Sequence, residues 1–217
     1  MAINYTVKQG DCISSIAFEH GFFGDTIWNH ANNSKLQQKR KDPNVLMPGD
    51  IVFVPDKRLK EVSEPTEQVH KFRCKNTPEK LKLQLLKEGE PRANEEYELE
   101  IDALKFSGKT DSQGRLEQST PPNAKQGKLI LKNGEEVYQL MLGHLNPHDE
   151  TTGVQGRLRH LGFYFGSIDG KISTELEHAI QAFQISQDIE PDGELNDETL
   201  NALENVYSEG TLQSGSQ

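Results

Sequence analysis

The amino-acid sequence predicts a multidomain α+β protein in which a small βααβ domain, a central antiparallel β-sandwich and a C-terminal three-helix domain follow one another. Three observations lead to this prediction. Apolar residues recur at helical spacing in the first and last parts of the chain, they alternate with a period of two in the middle, and polar connectors separate the three segments. Hydrophobic residues make up only 33% of the 217 residues, which favours several small cores over one thick core.

The predicted domain boundaries follow changes in composition. The stretch "KRLKEVSEPTEQ" is charged and aperiodic, and "NPHDETT" is polar and contains a proline, so both are predicted to be connectors. In chain order, we predict a domain at 1–58, a linker at 59–68, a domain at 69–145, a linker at 146–151, a domain at 152–208 and a disordered tail at 209–217.

In the first domain, "NYTVK" and "IVFVP" have the composition of strands, and two short helices are predicted between them. Asp11 is the predicted N-cap of the first helix, Gly21 ends that helix, and Asp25 is the predicted cap of the second. One apolar face of the first helix consists of Ile13, Ile16 and Ala17. The predicted order is therefore strand, helix, helix, strand.

In the second domain, apolar residues alternate along short runs such as "KLKLQL", "YELEI", "KLILK" and "VYQLML". Clusters of turn-forming residues separate these runs, for example "SGKTDSQGR" and "TPPNAKQG". Short alternating strands with turns at this spacing are typical of a small antiparallel β-sandwich.

The third domain returns to a helical period, with three apolar stripes at spacings of three, four and seven residues. The stripes are Val154, Leu158 and Leu161, then Leu176, Ala179, Ile180 and Phe183, then Leu200, Leu203 and Tyr207. Thr152 with Gln155, and Thr174 with Glu177, are predicted capping boxes. Glycine-containing turns, each with an Asp-Gly pair, separate the three predicted helices.

Charge is distributed unevenly along the chain. Residues 149–217 hold three Lys/Arg and thirteen Asp/Glu, so the net charge of −10 lies entirely in the last third. An acidic surface of this kind repels nucleic acids and anionic membranes, and no apolar run approaches the ~20 residues of a membrane span. We therefore expect neither a nucleic-acid partner nor membrane insertion.

The sequence contains no signature of catalysis, of a cofactor or of a metal site. Catalytic motifs such as His-Glu-x-x-His, Gly-x-Ser-x-Gly and the phosphate-binding loop are absent. His144 and His148 flank a proline, which disfavours the helix that zinc ligands at this spacing require. Cys12 and Cys74 lie in different predicted domains and are expected to be unpaired. We predict a protein that is not an enzyme and has no cofactor or metal.

Two features of the first domain allow more than one interpretation. Trp28, Phe22 and Phe23 either fill a small core or stack on sugar rings, and the position of Trp28 beside Ile27 favours the core. The basic cluster at 39–41 is either a solvated loop or a contact for the phosphates of wall polymers or for an acidic partner, such as the third domain of a neighbouring copy.

The first segment resembles the LysM domain through "YTVKQGDCISSIA", Asn32 and "VLMPGDIVFVP". Cys12 stands where that family more usually has threonine, and "NSKLQQKRKDPN" is longer and more basic than usual. The resemblance implies a groove for glycans that contain N-acetylglucosamine, between the first strand–helix loop and the loop before the last strand. The implied groove residues are Gly10, Asp11, Cys12 and Ile13 on one side and Asn44, Val45 and Leu46 on the other.

The third segment resembles a three-helix peptidoglycan-binding domain through "RLRHLGFYFGSIDG", "AIQAFQ" and "DGELNDETLNAL". The resemblance covers about fifty residues and implies a ligand face on this domain. The residues that it implies for this face are Phe163, Tyr164, Asp169, Gly170 and Gln184.

The middle segment resembles the immunoglobulin-like β-sandwich that accompanies spike proteins of contractile injection machines. The distinctive stretch is Gly-x-Thr-Asp-x-x-Gly-x-Leu from Gly108 to Leu116, which we interpret as a tight hairpin. Asp111 and Gly114 are expected to supply its turn chemistry.

Together, the resemblances imply a non-enzymatic peptidoglycan-binding adaptor of a contractile injection apparatus, either a type VI secretion system or a phage-tail-like particle. The alternative is a structural adaptor or chaperone that binds a spike or effector protein and has lost glycan binding. No signal peptide is visible, so we expect the chain to be cytoplasmic at synthesis. Its action is expected in the periplasm or after delivery by a secretion apparatus.

Overall fold

The computed structural model describes residues 2–57, 69, 79–87 and 89–209. The predicted linker at 59–68, Cys74 and all but the first residue of the predicted tail lie outside the described residues. The chain divides into two compact units. The first contains the residues up to Asn44 and Pro48–Gly143, and the second contains Val45–Met47 and the residues from His144 onward.

The first part of the first unit is a two-stranded antiparallel sheet with helices between its strands. Strand β1 pairs with β2 so that Ile3 lies opposite Val54. The elements are β1 Ile3–Thr6, α1 Ile13–His20, α2 Gly24–Trp28, a 3₁₀ turn Ala31–Asn33, α3 Ser34–Arg40 and β2 Ile51–Val54. Helix α3 was not predicted, because "SKLQQKR" has only one strongly apolar residue, Leu36, to mark a buried face.

Two side chains fix these helices onto the sheet. Asn33 is buried, and its amide donates to the carbonyls of Ile27 and Phe53 and accepts from the Phe53 N–H. Arg40, at the end of α3, is buried and forms a two-pronged ion pair with Asp50. The interpretation of residues 39–41 as a solvated basic loop is therefore wrong for Arg40, because its charge is paired inside the domain.

The cap of α1 differs by one residue from the prediction. The N-cap is Cys12, whose sulfur accepts the N–H of Ser15 while the Ser15 hydroxyl accepts the N–H of Cys12. Asp11 is turned inward instead, where other donors hold its carboxylate. Gly21 ends the helix in the left-handed conformation, with φ of 69°, as predicted.

The caps and aromatic residues near α2 differ more from the predictions. Phe23, not Asp25, is the N-cap of α2, and Asp25 lies in its first turn. Trp28 and Phe22 are half-buried, which agrees with a role in the core. Phe23 is 52% exposed, so this ring is not part of the core.

The rest of the first unit, which we call the central β domain (described residues 79–143), is entirely antiparallel. Its longer strands are β3 Glu79–Gln84, β6 Glu96–Ile101, β7 Leu104–Lys109, β8 Arg115–Thr120, β9 Gln126–Leu131 and β10 Glu136–Met141, and its short hairpin is β4 Leu86–Lys87 with β5 Glu90–Pro91. One sheet has the order β10-β9-β6-β7 and a second pairs β3 with β8. Alternate residues of β6, Tyr97, Leu99 and Ile101, point into one core, as the period of two predicts.

The stretch from Gly108 to Leu116 is not a tight hairpin. Strand β7 pairs with β6, and β8 pairs with β3, so the turn between β7 and β8 carries the chain from one sheet to another. The turn chemistry itself follows the prediction. The Asp111 carboxylate accepts the N–H groups of Gln113 and Arg115, and Gly114 has φ of 69°.

The second unit contains α4 Thr151–His160, α5 Thr174–Ser186 and α6 Asp197–Glu209, in agreement with the predicted helices. Both predicted capping boxes are wrong. Helix α4 begins after Glu150, and the Thr152 hydroxyl instead accepts from the Asn146 amide. Ser173 is the N-cap of α5, because its hydroxyl accepts the N–H of Leu176. The core lies between the helices and includes Leu158, Leu176, Ile180, Phe183 and Leu203.

Candidate functional site

A fully buried glutamine of α4 holds the loop between α4 and α5. The Oε1 of Gln155 accepts the N–H of Gly170 at 2.9 Å, and its Nε2 donates to the Asp169 carboxylate at 3.2 Å and to the Lys171 carbonyl at 3.1 Å. These three hydrogen bonds of the Gln155 side-chain amide go to three consecutive residues of the loop. The loop is therefore fixed to the helix that precedes it.

A second buried glutamine repeats this arrangement one helix later. The Oε1 of Gln184 in α5 accepts the N–H of Gly193 at 2.9 Å, and its Nε2 donates to the Asp192 carboxylate at 2.6 Å and to the Glu194 carbonyl at 3.3 Å. Its Nε2 also lies 3.0 Å from the Thr199 hydroxyl. Each loop is thus held by an equivalent set of three hydrogen bonds from one glutamine. We call these two sets the Gln155 bracket and the Gln184 bracket.

The Asp-Gly pair in each bracket supplies the turn. Gly170 and Gly193 both have φ of 76°, which a glycine adopts without steric cost. Asp169 accepts the N–H of Lys171, and Asp192 accepts the N–H of Glu194. These hydrogen bonds lower the pKa of both carboxyls, so both remain ionised under neutral conditions.

The loop held by Gln155 displays apolar side chains to solvent. Phe165 is 80% exposed, Ile172 is 65% exposed and Ile168 is 44% exposed. Loops carry many binding residues, and several apolar side chains exposed on one fixed loop make it the candidate binding surface of this domain. We call residues 162–173 the display loop.

Two of the residues expected at the ligand face are inside the domain instead. Tyr164 is buried, and its hydroxyl donates to the Ser167 carbonyl at 2.9 Å, which braces the display loop from within. Phe163 is half-buried and packs edge-on against Phe183, with ring centroids 5.6 Å apart. Sequence reasoning selected these two aromatics and missed Phe165, because "GFYFG" contains three aromatics in a row and no period that separates inner from outer positions.

The other three residues that were expected at the ligand face belong to the two brackets; they are Asp169, Gly170 and Gln184. Asp169 and Gly170 lie at the end of the display loop, whereas Gln184 is fully buried and holds the other loop. The two loops differ in character. The second loop exposes carboxylates, at Asp188, Glu190, Asp192 and Glu194, where the display loop exposes apolar groups.

Residues 147–203 match the family model described as "Putative peptidoglycan binding domain". The match spans α4, α5 and the first half of α6, and it includes both brackets and the whole display loop. It supports peptidoglycan binding by this C-terminal domain. No curated protein and no solved structure matches the chain.

Outside the matched residues 147–203, the structure places the residues of the expected N-terminal groove as follows. Gly10, Asp11 and Ile13 are buried and Cys12 is half-buried, and the N–H of Ile13 donates to the Pro43 carbonyl at 2.9 Å. Asn44, next to Pro43, is exposed. Val45 and Leu46 belong to the second unit, where Val45 is half-buried and Leu46 is buried.

The described residues contain no group of three or more His, Cys, Asp or Glu side chains placed to hold a metal ion. Within the same part of the chain, no helix has both the length and the apolar character needed to span a membrane.

Proposed function

We propose that the protein is a non-enzymatic peptidoglycan-binding adaptor whose C-terminal domain contacts the cell wall through the display loop. The observation that carries this proposal is Phe165, a ring 80% exposed on a loop that Gln155 and Tyr164 hold in place. The family match of residues 147–203 supports the same ligand.

The chemistry of the display loop suits a largely uncharged saccharide with short peptides. A flat aromatic face packs against the C–H groups of a pyranose ring, and the branched side chains of Ile168 and Ile172 suit the methyl groups of acetamido, lactyl and alanyl units. Residues 149–217 carry a net charge of −10, which disfavours polyanionic wall polymers as ligands. We therefore assign glycan with attached stem peptides as the ligand class.

We further propose that this adaptor is an accessory protein of a contractile injection apparatus. Its support is the resemblance of the first segment to LysM domains and of the middle segment to sandwiches that accompany spike proteins. An adaptor of this kind assembles with the apparatus through its first unit and meets the wall with its C-terminal domain.

The test is co-sedimentation of the full chain with purified insoluble sacculi, using wild type, F165A and F18A. Phe18 is a matched control because it is also an exposed aromatic ring, 53% exposed, but lies on α1, outside the residues named for either ligand face. We expect F165A to weaken binding about tenfold and F18A to leave it unchanged. Equal binding by all three proteins would remove the display loop from the proposal.

Release of soluble muropeptides from the same sacculi tests the non-enzymatic part. Incubation with the wild-type chain is expected to release no more material than buffer does. Time-dependent release that grows with protein concentration would show that the chain is a hydrolase.

A second candidate function, protein binding by an adaptor that does not bind wall, is favoured by the edge strand β10. Among the described residues, this strand ends the four-stranded sheet, and it exposes Val137, Tyr138 and Met141. A free strand edge with apolar side chains is a site where another polypeptide adds a strand. If the wild-type chain stays in the supernatant with sacculi at high protein concentration, this candidate replaces the first.

A further inference from the structure

Residues 10–14 comprise the turn before α1 and the first two residues of that helix, and we call them the entry loop. The entry loop packs against the central β domain within the first unit. The Nζ of Lys125 donates to the Asp11 carboxylate at 3.1 Å, although these residues are 114 positions apart. The Ser14 hydroxyl donates to the Glu79 carboxylate at the start of β3. The backbone of Gly143, just after β10, lies against the backbone of Gly10. Three separate places in the β domain therefore contact one five-residue loop.

Asp11 is the electrostatic centre of this contact. Its carboxylate is buried and accepts from the Tyr5 hydroxyl at 2.8 Å, from the Lys8 N–H at 2.9 Å and from Lys125. Burial by itself raises the pKa of Asp11, but these hydrogen bonds outweigh burial, so the pKa lies below its ordinary value. The carboxylate is thus ionised in the folded protein, and the hydrogen bonds from its donors offset the cost of burying its charge.

The two glycines allow the backbones to touch. Gly143 has φ of 72°, and a Cβ added to it would lie 2.8 Å from the Gly10 carbonyl oxygen. Any side chain at position 143 would therefore push the loop and the β domain apart. Lys125 is the most accessible of the contacts, because its side chain remains 48% exposed while that of Asp11 is 3% exposed.

We propose that the central β domain is a latch that holds the loop at residues 10–14 closed, so that this loop becomes accessible only when its contacts with Lys125, Glu79 and Gly143 separate. The latch is a contact between two parts of the first unit. It does not depend on wall binding by the C-terminal domain, and its test uses no wall material.

Cys12 reports directly on the state of the latch. It lies in the middle of the loop, its sulfur accepts the N–H of Ser15, and burial raises the pKa of its thiol. Both effects slow reaction with thiol reagents while the loop is closed. With the other cysteine replaced, in a C74S background, the rate of labelling of the full chain by Ellman's reagent measures how often the loop opens.

The test compares K125M, G143A and K87M in this C74S background. Lys87 is an exposed lysine of the same domain and serves as the matched control. We expect K125M and G143A to label about tenfold faster than the C74S parent, because a charged hydrogen bond or a close backbone contact has been lost, and K87M to label at the parent rate. Added 1 M NaCl is expected to accelerate the parent but not K125M.

Two results would overturn the latch. One is labelling of the parent as fast as that of a small free thiol with the same pKa, since the loop would then be open. The other is unchanged labelling in both K125M and G143A while circular dichroism shows both proteins folded. If G143A fails to fold, the labelling rate of K125M alone tests the latch. The Lys125 side chain lies at the surface, so its replacement is expected to leave the protein folded.

Discussion

The side chain of Gln155 and the backbone of Gly170 are joined by a 2.9 Å hydrogen bond that closes the display loop onto α4. Removal of this amide breaks its hydrogen bonds to Gly170, Asp169 and Lys171 and leaves a cavity in place of a fully buried side chain. We expect Q155A to lower the free energy of unfolding of the C-terminal domain by about 2–4 kcal/mol, as followed by helical circular dichroism in urea.

Q184A serves as the matched comparison for Q155A, because Gln184 makes the equivalent bracket at the other loop. Both substitutions are expected to destabilise the domain to a similar degree. Only Q155A frees the display loop, so only Q155A is expected to weaken sedimentation with sacculi under conditions where both variants are folded. Equal loss of binding in both variants would place the ligand elsewhere on the domain.

Gly153 in α4 provides a test of packing in the same domain. An added Cβ would lie 1.7 Å from the Pro147 carbonyl oxygen, a backbone atom that cannot move aside without changing the start of the helix. We expect G153A to cost about 3 kcal/mol or more. G156A is the control, because its Cβ would meet only the end of the Leu145 side chain; thermal melts at 222 nm should separate the two variants.

The ion pair of Arg40 and Asp50 should be a major stabilising contact of the N-terminal domain. Both side chains are buried, so R40M removes the two-pronged partner of the Asp50 carboxylate and is expected to cost about 3–5 kcal/mol. K39M removes a neighbouring lysine whose side chain is 60% exposed, and it should change stability by no more than about 0.5 kcal/mol. Fluorescence of Trp28, the only tryptophan, reports this domain in urea titrations.

Acid is expected to weaken the central β domain through Glu136. Hydrogen bonds from Lys132 and Arg92 lower the pKa of Glu136 from 4.5 to about 2. Because the folded pKa is below the unfolded one, the contribution of Glu136 is fully present above about pH 4.5 and is lost as the pH falls toward 2. Melting temperatures of E136Q should depend less on pH in this window than those of wild type.

E135Q is the control for the acid experiment, since Glu135 is adjacent, acidic and exposed. Its melting temperature should fall with acid as that of wild type does. A wild-type protein whose stability is flat between pH 4.5 and 2, or an E136Q variant with an unchanged pH profile, would contradict the assigned role of this carboxylate.

The periodic parts of the fold could be predicted from the sequence. Leu99 and Ile101 alternate, and Ile180 and Phe183 recur at helical spacing, because burial on one face imposes a period on the chain. Helix α3 could not be predicted, because Arg40 occupies a buried position that an apolar residue normally marks. Its pairing with Asp50, ten residues away, offsets the cost of burying this charge.

The candidate site was predictable in location but not in detail. The sequence indicated the loop around "GFYFGSIDG", yet which ring points outward depends on the hydrogen bond from Tyr164 to Ser167 and on the contact between Phe163 and Phe183. Neither contact produces a recognisable pattern in the sequence. The two brackets do produce one, because in each case a glutamine in a helix precedes an Asp-Gly pair. The pattern is hard to recognise because the glutamine lies fourteen residues before the aspartate in one bracket and eight residues before it in the other.

The two brackets also make the C-terminal domain a natural scaffold for engineering. Gln155 fastens the far end of the display loop at Gly170, and Tyr164 supports its near part from inside, so the exposed positions 165, 168 and 172 can be exchanged without changing any atom that holds the loop. A library varied at these three positions would keep one backbone and sample many surfaces. The domain could in this way be retargeted from one wall chemistry to another.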